Sequence, residues 1–340
     1  MDRPRLDAFA GRHALGADAI GAALDLSGQR PDRETWRRFA AVLLRAAGLG
    51  AVGAGLLFFV AANWQAWGVL GRFALLQCAL LACVAVALWR PAPAPVGQAA
   101  LILATLLTGG LLALFGQTYQ TGADLHELFF AWALLALPFA LAGLSGALWA
   151  VWWGVLNVGL ALLCGWLGTD HFFWRFIDGW DLARPTLLML PCVVNLLAAG
   201  AFLGLRGTRF AAAAPVWLVR YLATFGIVYG SAATLAVVTG GAWRSDTDGL
   251  TAQGLAVILV FAGICVAIGF ATWQRRRDVF PMALLGASWI AISTTMLARG
   301  LPFRDIGMLF FVAFWLIAVS TATGLLLMHW SRTWNDGAPA

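Results

Sequence analysis

The chain has 340 residues, of which 61% are hydrophobic and only 11% are charged, with a formal net charge of +6. Soluble domains carry about a quarter charged residues, and so small a share cannot cover a surface exposed to water. The composition therefore excludes an ordinary soluble protein and predicts an integral membrane protein. The basic excess forms no nucleic-acid-binding arm, because the first 39 residues hold seven arginines beside six acidic residues.

The first 39 residues predict a short cytoplasmic helical element. A weak apolar stripe runs through it, and glycines interrupt this stripe. The following "SGQRPD" predicts a turn, after which a helix runs from Glu34 into the first apolar stretch. That stretch starts near residue 40, behind a polar segment too long for a signal peptide, so we expect it to stay in the membrane as an anchor.

Ten apolar stretches follow along the chain. A helix needs about 20 such residues to cross the hydrocarbon core, and each stretch reaches or approaches that length. The predicted fold is an all-α bundle of about ten transmembrane helices. They cover residues 40–62, 72–89, 97–115, 125–143, 147–167, 186–204, 216–240, 251–273, 279–298 and 306–330.

These stretches divide the chain into four predicted regions. The cytoplasmic element covers residues 1–39, and a membrane region with the first four spans covers 40–145. A second membrane region with the remaining six spans covers 146–332, and a cytoplasmic tail covers 333–340.

The arginines predict the orientation of the bundle. All 22 basic residues are arginines, and with the N-terminus in the cytoplasm sixteen of them fall on the cytoplasmic side and six outside. Positive residues favour the cytoplasmic side of short loops. The "QRRRD" run after the eighth span supports this strongly. Both termini are therefore predicted to be cytoplasmic.

The most polar stretch near the membrane is "FGQTYQTGADLHELFFAW" at 115–132, which lies outside in this orientation. One interpretation is a capped helix start, in which Asp124 accepts hydrogen bonds from free amides and Glu127 completes a capping-box pattern. The other is an outward-facing polar pocket, because polar groups near the bilayer are costly unless they line a cavity or pair. Its acidic residues and histidine are suited to a cation or to protons. The candidate residues here are Gln117, Tyr119, Gln120, Asp124, His126 and Glu127.

Two motifs carry a family resemblance. "LLFFVAANWQAWG" at 56–68 and "FGQTYQTGADLHELFFAWALLALP" at 115–138 resemble the predicted bacterial membrane proteins of domain-of-unknown-function family 2157. The likeness covers about residues 36–145 and implies a multi-pass inner-membrane protein with a short cytoplasmic N-terminal element. The resemblance implies no activity. The matching residues are Asn63, Trp64, Gln117, Tyr119, Gln120, Gly122, Asp124 and Trp132.

Four further amides are candidate site residues. Asn63 and Gln65 end the first span on the outer side, and we expect them to join Gln117 and Gln120 in one network if the two hairpins pack together. Asn157 and Asn195 fall near the midplane of the fifth and sixth spans, where a hydrogen bond between helices is the usual role.

No catalytic motif, cofactor site or metal site is recognised, so we expect no enzyme activity. The five cysteines lie in apolar stretches without a CxxC spacing and are predicted to be small buried hydrophobic residues.

Two functions from different classes fit this pattern. The first is binding or transport of a small solute, ion or lipid through the outward-facing pocket in a bacterial inner membrane. The second is a non-catalytic scaffold or subunit of a cell-envelope complex. The predicted partners are the lipid bilayer and another membrane protein or a second copy of the chain.

Overall fold

The structure is a computed structural model that describes residues 12–13, 16–26, 32–63, 66–120, 122, 124–165, 185–208, 213–241, 251–276, 278–300 and 306–336. Within these ranges every regular element is a helix. The chain forms two compact units, one of Met1–Gly68 with Asn335–Ala340 and one of Val69–Trp334. The four regions predicted from the sequence stay a prediction.

The first unit contains α1 (Ala17–Leu26) and α2 (Arg33–Ala62). Helix α2 begins after Asp32, whose carboxylate accepts a hydrogen bond of 2.7 Å from the backbone N–H of Thr35. Hydrogen bonds from the side chain and the backbone of Thr35 lower the pKa of Asp32 below its usual value. The structure confirms that one helix runs from the polar segment into the first apolar stretch.

The second unit contains nine described helices. Helices α8 and α9 each end in one π-helical turn, Val237–Gly241 and Thr272–Arg276 respectively. The helices are α3 (Val69–Trp89), α4 (Pro95–Tyr119), α5 (Leu125–Gly143), α6 (Gly146–Leu163), α7 (Pro185–Leu205), α8 (Val216–Ala236), α9 (Ala252–Ala271), α10 (Val279–Gly300) and α11 (Ile306–Asp336).

Ten helices in the described ranges are long and apolar enough to cross a membrane, and they are α2 to α11. A spanning segment must satisfy its own backbone hydrogen bonds because hydrocarbon offers none, and a helix does so within one segment. The predicted all-α fold with about ten spans is therefore confirmed. The predicted orientation of the termini stays a prediction.

The buried centre of the second unit lies where α6, α7, α8 and α9 meet. Small residues allow these helices to approach each other closely. A Cβ atom on Gly226 of α8 would lie 2.6 Å from Cγ of Leu196 on α7. A Cβ atom on Gly230, one turn further along α8, would collide with the ring of Phe261 on α9. Interfaces between membrane helices are built on such small residues, because apolar side chains gain little by leaving lipid.

The burial of each cysteine depends on which face of its helix it occupies. Cys164 and Cys192 are buried in the centre, as predicted, whereas Cys78 is exposed on α3. The prediction is therefore wrong for Cys78, because a spanning helix turns part of its apolar surface away from the bundle. All five cysteines are free thiols.

The close approach of α8 and α9 gives the first testable prediction. Gly230→Ala should lower the stability of the folded protein by about 1–3 kcal/mol, because the new methyl group overpacks the contact with Phe261. The matched control is Gly263→Ala on α9, where a Cβ atom meets nothing within 4 Å. Thermal unfolding in detergent should show a loss for Gly230→Ala alone, and equal melting temperatures would contradict the proposed contact.

Candidate functional site

The polar stretch forms the turn between α4 and α5. Helix α4 continues through Gln117 to Tyr119, beyond the predicted end at 115. The chain then reverses at Gln120 and Gly122, which adopt left-handed conformations with φ of 44° and 64°. Gln120 is a non-glycine residue in a region that side chains rarely occupy, and this left-handed conformation ends α4. The turn brings the two helix ends side by side.

Trp132 fixes the two helices against each other. Its indole Nε1 donates a hydrogen bond of 2.7 Å to the backbone oxygen of Thr105 on α4. The same ring covers Gly109, where a Cβ atom would collide with it. Trp132 therefore acts as a packing residue that also satisfies its own N–H group inside the membrane.

A cavity of about 550 Å³ lies beside this turn. Three of the predicted residues line it, namely Gln117 and Gln120 from the end of α4 and Glu127 from the first turn of α5. The remaining wall is mostly apolar and includes Phe115 and Leu128. A concave, largely apolar site with a few convergent polar groups is typical of small-molecule binding sites.

Three other predicted residues of the turn do not line this cavity. The ring of Tyr119 lies 4.8 Å from that of Phe115, centroid to centroid. The ring of His126 lies 6.0 Å from that of Phe130 in an edge-on arrangement. Asp124 precedes α5 at the N-cap position with an exposed side chain.

The predicted capping role of the Asp124 carboxylate is wrong. Its side chain makes no capping hydrogen bond, and its backbone oxygen instead accepts hydrogen bonds from the N–H groups of Glu127 at 3.0 Å and Leu128 at 3.4 Å. The backbone of Asp124 adopts the extended N-cap conformation, so the motif marks the start of α5, but the carboxylate does not turn back to an amide of the first turn. Glu127 still lies in the first turn of α5, where a negative charge interacts favourably with the helix dipole.

Asn63 lies in the first unit and ends α2. Its side-chain amide donates a hydrogen bond of 2.9 Å to the backbone oxygen of Phe59, which also accepts the backbone N–H of Asn63 at 3.2 Å. Trp64 and Gln65 lie outside the described residues. The predicted amide network of Asn63 and Gln65 with Gln117 and Gln120 stays a prediction.

Asn157 of α6 and Asn195 of α7 form a reciprocal pair in the buried centre. The amide of Asn157 donates to Oδ1 of Asn195 at 3.0 Å, and the amide of Asn195 donates to Oδ1 of Asn157 at 2.7 Å. The second proton of each amide goes to a carbonyl four residues earlier in the same helix. The two residues are only 2% and 0% exposed. The hydrogen bond between helices expected from the sequence is confirmed.

Tyr229 of α8 completes this arrangement. Its hydroxyl donates a hydrogen bond of 2.8 Å to the backbone oxygen of Asn157, and the side chain is buried. The sequence did not identify this residue as part of a site. The available signal was its rarity, because the chain has only three tyrosines and this one falls in the middle of an apolar stretch.

The N-terminal part of the chain matches a known family model. Residues 8–149 match the model of DUF2157, a family of predicted membrane proteins. The resemblance drawn from the two motifs is confirmed, and the DUF2157 match extends further towards the N-terminus than the quoted motifs. It includes α2 to α5 and therefore the turn, the cavity and Trp132. No curated protein and no solved structure matches the chain.

With ten apolar helices and this match, the protein is a multi-pass membrane protein. The cavity beside the α4–α5 turn offers one carboxylate and two amides, which can accept and donate hydrogen bonds to a small polar molecule. Among the described residues, no group of three or more His, Cys, Asp and Glu side chains is arranged to hold a metal ion.

The asparagine pair gives the second testable prediction. Asn157→Leu and Asn195→Leu should each destabilise the protein by about 1–3 kcal/mol, because each leaves a buried amide with an unmatched group. The double variant should lose about 1 kcal/mol less than the sum, since it removes both partners. The unfolding free energy in detergent measures this coupling. Strict additivity would contradict a shared hydrogen-bonded pair.

Proposed function

We propose that this protein binds a small, positively charged solute in the cavity beside the α4–α5 turn. The observation that carries the proposal is the convergence of Gln117, Gln120 and Glu127 on one cavity of about 550 Å³ with mostly apolar walls. No arginine lines this cavity among the described residues. Glu127 therefore supplies the formal charge on the wall.

Each of the three polar side chains would contact a different part of such a solute. The carboxylate of Glu127 pairs with an ammonium or guanidinium group in a charge-assisted hydrogen bond. The amides of Gln117 and Gln120 accept or donate further bonds that fix the orientation of the solute. The ring of Phe115 in the wall adds an aromatic face that attracts a cation.

The arginine distribution supports an outward-facing cavity in a bacterial inner membrane. Sixteen of the 22 arginines fall on the side opposite to the α4–α5 turn when the N-terminus is cytoplasmic. A solute would then enter the cavity from outside the cell. Transport would also need a path through the centre, and the buried pair of Asn157 and Asn195 favours binding over transport.

A second function, a scaffold in a cell-envelope complex, has one observation in its favour. Helix α11 exposes Phe310, Phe314 and Ile317 at helical spacing, with each side chain at least 65% exposed. Such a face suits another membrane protein or a second copy of the chain as well as it suits lipid. A scaffold of this kind needs no solute in the cavity.

A ligand panel tests the proposed binding function. We expect ethanolamine, spermidine and arginine to raise the melting temperature of the purified protein, whereas equally small neutral and anionic solutes should not. Glu127→Gln should weaken binding of an active cation about five-fold, because an ion pair with an exposed carboxylate contributes up to about 1 kcal/mol. Differential scanning fluorimetry followed by titration calorimetry measures both effects.

The matched control is Asp124→Asn, which removes an exposed carboxylate from the same turn outside the cavity wall. It should leave the affinity unchanged, and Gln117→Ala should lower it. If no cation stabilises the protein, the binding proposal is wrong and the scaffold function remains. An equal loss in Asp124→Asn and Glu127→Gln would show attraction by net charge without a defined site.

A further inference from the structure

A second cavity of about 720 Å³ lies between α7, α8 and α9 and the start of α10. It is located where α7 ends and α8 begins, at the end of the bundle opposite to the α4–α5 turn if all intervening helices cross the membrane. Small residues from three helices line it, among them Gly200, Ala223 and Ala267. These positions leave open space between the helices, and a Cβ atom on Gly200 would meet nothing within 4 Å.

Two arginines line this cavity at the helix ends. Arg220 pairs with Asp278 through hydrogen bonds of 3.0 Å and 3.4 Å, and its guanidinium lies 5.2 Å from the centroid of the Phe280 ring. Arg206 is exposed and forms no ion pair with any residue that the structure describes. Because Asp278 balances Arg220, the described residues that line the cavity carry one net positive charge at this end.

The rest of the cavity is an apolar groove. Its walls run from Arg206 and Leu203 down to Leu196 on α7, with Val219 on α8 and Ile268 on α9. Nine residue steps separate Leu196 from Leu205 at the end of α7, which corresponds to about 13 Å along the helix axis. The groove is therefore long enough for much of an acyl chain, and its charged end lies where a lipid head group meets water.

We propose that this groove binds an anionic phospholipid. The phosphate lies against Arg206 and the outer edge of Arg220, and one acyl chain lies along the apolar walls beside Gly200 and Ala267. Basic pockets between membrane helices on the cytoplasmic side recognise such head groups, and the arginine distribution predicts that this end is cytoplasmic. The proposal does not depend on a solute at the α4–α5 turn.

Charge complementarity favours a lipid over a free anion or a soluble cation. Asp278 already neutralises Arg220, so a single exposed guanidinium would hold free phosphate weakly in water. An acyl chain is already in hydrocarbon and gains little from the hydrophobic effect, so the groove holds it by van der Waals packing against the helix walls. The same chain keeps the head group at the membrane surface beside Arg206 and Arg220, which a free anion lacks. A lipid uses both ends of the groove.

Native mass spectrometry of the full-length protein tests this proposal with dioleoylphosphatidylglycerol and dioleoylphosphatidylcholine as probes. We expect the anionic lipid to reach half-occupancy at a lower concentration than the zwitterionic lipid. Arg206→Gln should raise that concentration about five-fold for the anionic lipid only, as the loss of one arginine near a lipid surface implies. Gly200→Leu should weaken both lipids, because its side chain fills the groove.

Each variant has a matched control. Arg332→Gln removes an exposed arginine at the end of α11, and Gly204→Leu adds the same side chain one turn from Gly200 at a position that does not line the cavity. Neither should change lipid occupancy. Ala267→Leu fills the groove from α9, so the test remains decisive if Gly200→Leu does not fold.

Two results would overturn the proposal. In the first, both lipids reach half-occupancy at the same concentration, and Arg206→Gln does not change that concentration. This result would mean that the charged end recognises no head group. The second is displacement of the anionic lipid by millimolar inorganic phosphate while Gly200→Leu and Ala267→Leu have no effect. That result would mean that the arginines bind a free anion and that the groove binds no acyl chain.

Discussion

Hydrocarbon offers no hydrogen-bond partner to the backbone, and the described structure follows from this constraint. Each spanning segment is a helix, and buried hydroxyl groups turn back to their own helix, as Thr105 and Thr234 do with carbonyls four residues earlier. Where Pro191 lacks an N–H group, the freed carbonyl of Leu187 lies 3.5 Å from the thiol of Cys164 on α6. Polar groups inside the bundle therefore act as fixed contacts between or within helices.

The same constraint separates the polar groups of this protein into two kinds. Asn157 and Asn195 lie in the buried centre and satisfy each other, which holds α6 and α7 in one arrangement. Gln117, Gln120 and Glu127 lie at a helix end, where water and a small solute can reach them. We therefore propose binding at the cavity beside the turn, whereas the paired asparagines of the centre stabilise the bundle.

Much of the fold could be predicted from the sequence, because ten long apolar stretches and the polar midplane asparagines are local signals. The side-chain pattern at the turn was less predictable. Asp124 fits a capping motif, yet its carboxylate remains exposed, and Glu127 faces a cavity instead. The contact of Trp132 with Gly109 and the groove near Arg206 depend on how distant helices pack, and a sequence pattern carries no direct signal for that.

The central claim, an outward-facing turn with cytoplasmic termini, is tested most directly by cysteine labelling in intact cells. The five native cysteines are first replaced, and single cysteines are introduced as Gln117→Cys at the turn and Arg332→Cys at the end of α11. A maleimide that cannot cross the membrane should label the Gln117→Cys variant in intact cells and the Arg332→Cys variant only after lysis. Labelling of Arg332→Cys in intact cells, with Gln117→Cys protected, would contradict the orientation and the proposed site.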